Sequence, residues 1–222
     1  MEDHIQTSRL EDHIQWSKCF DHSATYVYKA LPNQHFTLNT RPSRTPHKKS
    51  KPPTRKAPVS KLQMLAFDIE TMGLDASKHP VTIVCTEDFA SGAKKSYEFA
   101  RVRVQEPHAH TQLLMEMVQD FEEASSLCSF NGIRFDIPFL QTAFRIDNAT
   151  VTRWILKSTD ILECCRLIHN NTFSLNLLCE KNNMPVKISS GLQAVKMAAD
   201  CQWEDLEEYC QDDVAILCKL YR

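Results

Sequence analysis

The sequence predicts an α/β domain with a mixed sheet, preceded by a basic N-terminal arm. Strand-like apolar segments come first, segments with helical periodicity follow, and one helical segment lies between strands. The 222 residues are 42% hydrophobic and 24% charged, which is enough for one sizeable core. We therefore expect a folded domain over residues 62–222 and a disordered arm over residues 1–61.

Strands are expected mainly in the first half of this domain. LQMLAFDIET (62–71), VTIVCTEDFA (81–90) and KKSYEFARVRV (94–104) are rich in apolar and β-branched residues, and a turn at Ser91-Gly92 joins the last two. SLCSFNG (126–132) is a short apolar run that stops at Asn131-Gly132, as a strand end does. A further strand and a turn are expected within ATVTRWILKSTDILECCRLI (149–168).

Helices are expected between and after these strands. HTQLLMEMVQDFEEA (110–124) has apolar residues at helical spacing. FDIPFLQTAFRI (135–146) places Pro138 in a first helical turn, where proline is tolerated. Three more helices are expected in SLNLLCEKNN (174–183), GLQAVKMAAD (191–200) and WEDLEEYCQDDVAILCKLYR (203–222).

Two carboxylates interrupt the first strand. Asp68 and Glu70 alternate with Phe67 and Ile69, so both point to the same side of the strand. Burying a lone carboxylate costs several kcal/mol or more unless it is paired or bound to a metal. A pair of acids at the end of a hydrophobic strand therefore predicts either a cation site or a salt-bridged strand end.

Two further acids lie in segments that are predicted to be helices. Asp136 follows SFNGIRF at the opening of a helix. Asp213 lies four residues after Tyr209, so Asp213 and Tyr209 share a helix face. Four carboxylates from separate elements suit Mg²⁺ or Mn²⁺, which prefer oxygen ligands. Two such ions about 4 Å apart can activate a water and stabilise the leaving oxygen in phosphodiester cleavage.

FDIET, SFNGIRFDIPFL and YCQDD, in this order, resemble the three exonuclease motifs of the DEDD superfamily, the RNase H-like, DnaQ-type fold of 3′–5′ exonucleases. Tyr209, four residues before the last aspartate, resembles the mark of the DEDDy branch. The middle motif is similar to that of family B DNA polymerase proofreading domains, and residues 173–187 and 191–217 are similar to YprB-like stand-alone exonucleases. The resemblance covers residues 62–222 and implies an RNase H-like mixed sheet flanked by helices.

The resemblance also implies roles for individual residues. Asp68 would bridge two divalent cations, Glu70 and Asp213 would complete the site of the ion that carries the attacking water, and Asp136 would support the second ion. Tyr209 would orient that water or help to deprotonate it, and positioning is favoured because a tyrosine with the usual pKa of about 10 is a poor base at neutral pH. Substrate contacts are implied for four residues: Thr71, Leu74, Asn131 and Phe135.

Each of these residues has a purely structural alternative. Asp136 could be only a helix N-cap or first-turn acid, and Leu74 and Phe135 could be core residues. Asp160 could be a structural acid at a strand end or a fifth acid near the site, whereas Asp212 is expected to be solvated. The histidines at 79, 108, 110 and 169 fit no zinc site and are expected on surfaces or loops.

The function implied is metal-dependent 3′–5′ exonuclease activity on single-stranded DNA or RNA 3′ ends, with DNA slightly favoured. The alternatives are a catalytically weak nucleic-acid-binding or assembly module, and a proofreading subunit that acts with a separate polymerase or another replication or repair partner. The discriminating observation is metal-dependent turnover as opposed to binding alone.

Charge and cysteine content bear on location and partners. Residues 1–61 carry 11 Lys/Arg and 5 Asp/Glu, whereas residues 62–222 carry 15 and 23, so a basic arm precedes an acidic domain. The arm is expected to be a solvated tether or a nucleic-acid-binding tail, and residues 48–56 resemble a nuclear import signal. The sequence contains no run of about 18 apolar residues, so it predicts no membrane helix. The nine cysteines lack a CxxC pair and are expected to be reduced, as in an intracellular protein of the nucleus or cytoplasm.

Overall fold

The computed structural model of the protein describes residues 64–185 and 191–222. The predicted arm over residues 1–61 and the basic stretch 48–56 lie outside the described residues. Within the described part, a five-stranded mixed sheet is flanked by helices on both faces. This architecture confirms the predicted fold class.

The sheet has the strand order β3-β2-β1-β4-β5. The strands are β1 (Met64–Thr71), β2 (Val81–Asp88), β3 (Lys94–Tyr97), β4 (Ser126–Ser129) and β5 (Ser158–Asp160). β2 is antiparallel to both β1 and β3, whereas β4 is parallel to both β1 and β5. β1 is therefore central, and its C-terminal end lies at the same edge of the sheet as the ends of β4 and β5.

Three helices cover the sheet face that Phe67 and Ile69 occupy. After α1 (Phe99–Gln105) and a 3₁₀ turn (Pro107–Ala109), the chain forms α2 (His110–Glu123), α3 (Asp136–Phe144) and α4 (Asn148–Leu156). The predicted apolar stripe of α2 buries Met117 and Phe121 against this face, and Trp154 of α4 is fully buried beside them. The indole of Trp154 donates to a Glu122 carboxylate oxygen at 2.7 Å, which satisfies its N–H.

The opposite face carries the C-terminal helices. α5 (Ile161–His169) and α6 (Leu175–Lys181) lead to α7 (Gly191–Ala199) and α8 (Trp203–Tyr221). α7 and α8 pack on the face that shows Ala66 and Cys85, with Leu206, Val214 and other buried residues of α8 against the sheet. Since β1 alternates sides, Asp68 and Glu70 point to this second face, towards α8.

Two segments differ from the sequence prediction. KKSYEFARVRV forms strand β3 only to Tyr97, and the rest is helix α1. In residues 149–168 the expected strand is only the three residues of β5, and most of the segment forms α4 and α5. Asp147 begins α4 by accepting from the Thr150 backbone N–H at 3.0 Å, a local signal that the strand prediction overlooked.

Seven described cysteines are free thiols, as expected: Cys85, Cys128, Cys164, Cys165, Cys179, Cys210 and Cys218. Among the described residues, no helix combines the length and the apolarity that a bilayer crossing needs.

Candidate metal and active site

β1 carries two of the predicted site acids into the centre of the sheet. Asp68 and Glu70 lie opposite Cys85 and Ile83 of the antiparallel neighbour β2, and both are half-buried. Phe67, between β1's Ala66 and Asp68, is fully buried in the opposite core. The two-residue period of the strand therefore holds both carboxylates on one face while its apolar residues anchor it from the other.

Helix α8 brings the third acid to the same place. The Cys210 thiol donates to the Asp68 backbone carbonyl at 3.7 Å, and Asp213 lies one helical turn further along the same face. Gln211 fixes the helix from its other side, because its amide donates to the Lys95 carbonyl at 3.1 Å and to the Ser96 hydroxyl at 3.0 Å. α8 is thus attached to both β1 and β3 next to Asp213.

The resulting cluster can hold a metal ion. Asp68, Glu70 and Asp213 each offer a carboxylate oxygen, and these three atoms lie within 4.8 Å of one another. The pKa of the Cys210 thiol beside them is raised well above its usual value, chiefly by burial and also by the nearby thiol of Cys85 and the negative charges of Asp68 and Glu70. An all-oxygen, anionic donor set of this kind fits hard divalent cations such as Mg²⁺ or Mn²⁺.

Asp136 lies beside this cluster but is not one of its three members. It is the first residue of α3, is 4% exposed, and its carboxylate accepts hydrogen bonds from the backbone N–H groups of Ile69 and of Asp136 itself. Burial raises its pKa to about 7, with a smaller contribution from the negative charge of Asp160. Asp136 therefore contacts β1 between the two other acids, and its role as a metal ligand stays a prediction.

Asp160 holds the segment that leads to Asp136. Its Oδ1 accepts from the backbone N–H groups of Asn131 at 2.9 Å and Leu162 at 3.0 Å, and its Oδ2 accepts from that of Ile133 at 3.0 Å. A third bond to Oδ1 comes from the Glu163 N–H at 3.3 Å. Asp160 is 2% exposed and caps α5, so the structural alternative describes it better than a fifth site acid.

The segment between β4 and α3 turns tightly because of two residues. Asn131 has a φ of 65°, and its carbonyl accepts from the backbone N–H groups of Arg134 and Phe135. At Gly132 a Cβ atom would lie 2.3 Å from the Ser129 hydroxyl oxygen and 2.6 Å from its Cβ, so a larger residue would force Ser129 or the backbone to shift. The Asn-Gly pair thus sets the direction in which the chain enters α3.

The predicted substrate contacts lie in different environments. Leu74 is 77% exposed, so the alternative that it is a core residue is wrong. Thr71 is buried and its hydroxyl donates to the Gly73 carbonyl at 2.8 Å. Asn131 and Phe135 are half-buried, and the Phe135 ring packs against Phe139 with centroids 5.4 Å apart. Substrate binding by these four residues stays a prediction.

Two of the remaining predictions concern α8. Tyr209 is buried in the core on the α8 side of the sheet and shares a helix face with Asp213. Asp212 is exposed, as expected.

The histidines only partly match their prediction. His108 and His169 are exposed, but His79 and His110 are half-buried. The His110 ring contacts Phe99 and Phe144, with centroid distances of 5.4 and 6.0 Å. These contacts have no periodic signal in the sequence, because His110 is the first residue of its helix.

Comparisons with known proteins agree with this architecture. Residues 65–222 match the model of a family described as the RNase_H superfamily. A solved structure, the family B DNA polymerase from the hyperthermophilic archaeon Pyrobaculum calidifontis, is similar with a TM-score of 0.52 and 18% identity. The similarity covers 70% of this chain and 23% of the polymerase, so the chain corresponds to about a quarter of that protein. No curated protein matches the sequence. The family match spans most of the chain, which therefore belongs to the RNase_H superfamily.

Proposed function

We propose that this protein is a metal-dependent 3′–5′ exonuclease that hydrolyses phosphodiester bonds at single-stranded nucleic-acid ends, with DNA slightly favoured over RNA. The observation that carries the proposal is the convergence of Asp68, Glu70 and Asp213, whose carboxylate oxygens lie within 4.8 Å of one another. Three half-buried acids gain little from such proximity in a purely structural role, since like charges repel at this distance.

The residues can be assigned to separate tasks. A DEDD-type site holds two divalent cations. The proposed ligands are Asp68, Glu70 and Asp213, and Asp136 would support the second cation. Bound cations would supply activation of the attacking water and stabilisation of the leaving oxygen. Tyr209 would position the water, as in the DEDDy branch. Leu74 would pack against the terminal base, since its side chain is 77% exposed and therefore available to a ligand.

The substrate and partners follow from the same resemblance. The similarity to a polymerase supports a nucleic-acid substrate, and the partner that we propose is a replication or repair polymerase. Contacts with the strand are proposed for three residues of the motifs FDIET and SFNGIRFDIPFL: Thr71, Asn131 and Phe135. The basic stretch 48–56 is consistent with a protein of the nucleus or cytoplasm that contacts nucleic acid.

The test is a time course on matched 5′-labelled single-stranded DNA and RNA with Mg²⁺, Mn²⁺ or EDTA. We expect a ladder that shortens from the 3′ end, requires metal, and is lost in Asp213→Asn. Asp212→Asn is the matched control, because Asp212 is an exposed neighbour on the same helix. Metal-independent shortening, or equal rates in Asp213→Asn and wild type, would contradict the proposal. Binding without turnover would instead favour a nucleic-acid-binding module.

A further inference from the structure

A groove of about 350 Å³ lies between the edge strand β3 and helix α8. Residues 94–96 of β3 form one wall, and a stripe of α8 forms the other. The stripe consists of Glu204, Glu207, Glu208 and Gln211, whose spacing puts them on one face of the helix. None of the three acids of the metal cluster lines this groove, so it is a separate surface.

The lysine in the middle of the β3 wall does not neutralise the groove. Tyr97 is buried in the core on the Phe67 side, so the two-residue period of the strand directs the Lys95 side chain to that side as well. There its ammonium binds the Asp120 carboxylate of α2 at 2.7 Å. Lys95 meets α8 through its backbone carbonyl instead, which accepts from the Gln211 amide.

Negative charge therefore predominates in the groove. Glu204 is paired with Arg101, with a nitrogen–oxygen distance of 3.5 Å. Among the other lining residues, Lys94 is a cation, whereas Glu207 and Glu208 are both anions. A groove with this excess of carboxylates attracts a cationic group.

The α8 wall also contains a buried acceptor that lacks a donor. Gln211 is 9% exposed, and its amide nitrogen donates to the Lys95 carbonyl at 3.1 Å and to the Ser96 hydroxyl at 3.0 Å. A backbone carbonyl can only accept, so the amide cannot be turned round. Its Oε1 atom is buried and has no hydrogen bond among the described residues. Since buried polar atoms are nearly always hydrogen-bonded, this oxygen indicates a ligand that brings an N–H donor.

A lysine or arginine side chain combines the positive charge and the donor that the groove lacks. Residues 41–61 of this chain, which lie outside the described residues, carry eight Lys/Arg and no acid. We propose that this basic segment binds in the groove between β3 and α8, with an ammonium or guanidinium group at Glu207, Glu208 and the Gln211 oxygen. The same basic side chains bind phosphate, so nucleic acid and the groove compete for the segment; this consequence alone rests on the proposed function.

The point at which the chain enters the domain brings the segment within reach. Leu65 of β1 pairs with Asp88 of β2, and the neighbouring Glu87 pairs with Lys94 of β3. The start of β1 is therefore two strands away from the groove, or about 10 Å. Lys56 precedes β1 by eight residues, which span up to about 26 Å when extended. A short tether of this kind gives an effective concentration of about millimolar, so even a weak contact is populated.

Carbodiimide cross-linking of the full chain tests the contact directly, because the reagent joins lysine amines to carboxylates without a spacer. An equal mixture of ¹⁴N- and ¹⁵N-labelled protein is treated in EDTA at low salt, without nucleic acid, and the linked peptides are identified by mass spectrometry. We expect the lysines of residues 48–56 to be joined to Glu207 or Glu208 at least fivefold more often than to Glu123 or Glu180, which are exposed on α2 and α6. The links should join peptides of one isotope. Links of mixed isotope would show that a second copy supplies the segment and would overturn the proposal.

Tryptic cleavage measures the same docking in variants. Glu207→Gln combined with Glu208→Gln should speed cleavage within residues 41–61 at least fivefold, relative to cleavage within residues 64–222. Glu123→Gln combined with Glu180→Gln removes the same charge elsewhere and should change the ratio less than twofold. A change below twofold in the groove variant, an equal increase in the control, or equal cross-linking of groove and control acids would overturn the proposal. Because neither assay contains nucleic acid, failure here leaves the proposed nuclease activity unaffected, and the reverse also holds.

Discussion

Replacing Asp160 by asparagine would test how the segment before Asp136 is held. Four backbone N–H groups converge on this one carboxylate, at 2.9 to 3.3 Å, and two of them belong to the loop that enters α3. Asparagine has the same shape but offers one oxygen instead of two. Whichever way the amide is turned, its NH₂ group faces at least one backbone N–H, and the side chain is too buried for water to compensate.

The cost can be estimated from the bonds lost. With the amide oxygen in the place of Oδ1, three bonds persist but lose their charged acceptor, and the Ile133 N–H loses its acceptor altogether. A hydrogen bond to a charged group contributes about 1.5–3 kcal/mol, and an unsatisfied buried donor costs about 1–3 kcal/mol. Relief of the repulsion between Asp160 and Asp136 offsets part of this loss. We expect Asp160→Asn to lower the free energy of unfolding by about 2–4 kcal/mol.

Urea unfolding followed by tryptophan fluorescence measures this loss, because Trp154 and Trp203 are buried. Hydrogen exchange separates the local effect, since the amides of Asn131 and Ile133 should exchange faster in the variant. Asp212→Asn, at an exposed position, should change stability by less than about 0.5 kcal/mol. A comparably small change in Asp160→Asn, with unaltered exchange at Asn131 and Ile133, would refute the view that Asp160 fixes this loop.

Three further predictions concern other positions. Gly132→Ala should lower the free energy of unfolding by about 1–3 kcal/mol in urea titrations, because the added Cβ would overlap Ser129. Gly191→Ala is the control: its Cβ would meet nothing within 4 Å, so it should not destabilise the protein. Equal effects of the two substitutions would contradict the steric reason. Asp136 has a pKa raised from 3.8 to about 7, so in EDTA its contribution to stability is present below pH 4 and is lost as pH rises to 7. Between pH 5 and pH 8 the wild type should lose about 2–3 kcal/mol more unfolding free energy than Asp136→Asn, and parallel pH profiles would refute this. Leu74→Ala should leave the urea midpoint unchanged, because Leu74 is 77% exposed. It should slow strand cleavage about fivefold, through loss of a contact with the terminal base that contributes about 1 kcal/mol. An unchanged cleavage rate would exclude that contact.

The acids of the cluster could be predicted from sequence because their signals are local. The two-residue period of a strand puts Asp68 and Glu70 on one face, and the four-residue step on a helix relates Asp213 to Tyr209. Both elements form as predicted, and both carry long apolar runs that fix which face is buried. These spacings do not predict how close β1 and α8 lie in the fold. The structure shows that their carboxylate oxygens lie within 4.8 Å of one another.

The prediction of secondary structure failed where local residue preference and tertiary context disagree. FARVRVQ has alternating valines and arginines, a pattern typical of a half-buried strand, yet it forms α1 with Phe99 and Ala100 buried in the two cores. β5 has only three residues, fewer than any periodic signal needs, and it exists because β4 pairs with it in parallel. Packing against neighbours, rather than propensity, decides both cases.

The supports of the site could not be predicted for a related reason: they join residues far apart in the chain. The bond from Cys210 to the Asp68 carbonyl spans 142 positions, and that from Asn131 to Asp160 spans 29. Such contacts leave no period in the sequence. Asp160 did have a local signal, since an aspartate followed three residues later by Glu163 is typical of a helix N-terminus. That pattern identifies the cap of α5 but not the two loop amides that share the carboxylate, and these amides connect Asp160 to the position of Asp136.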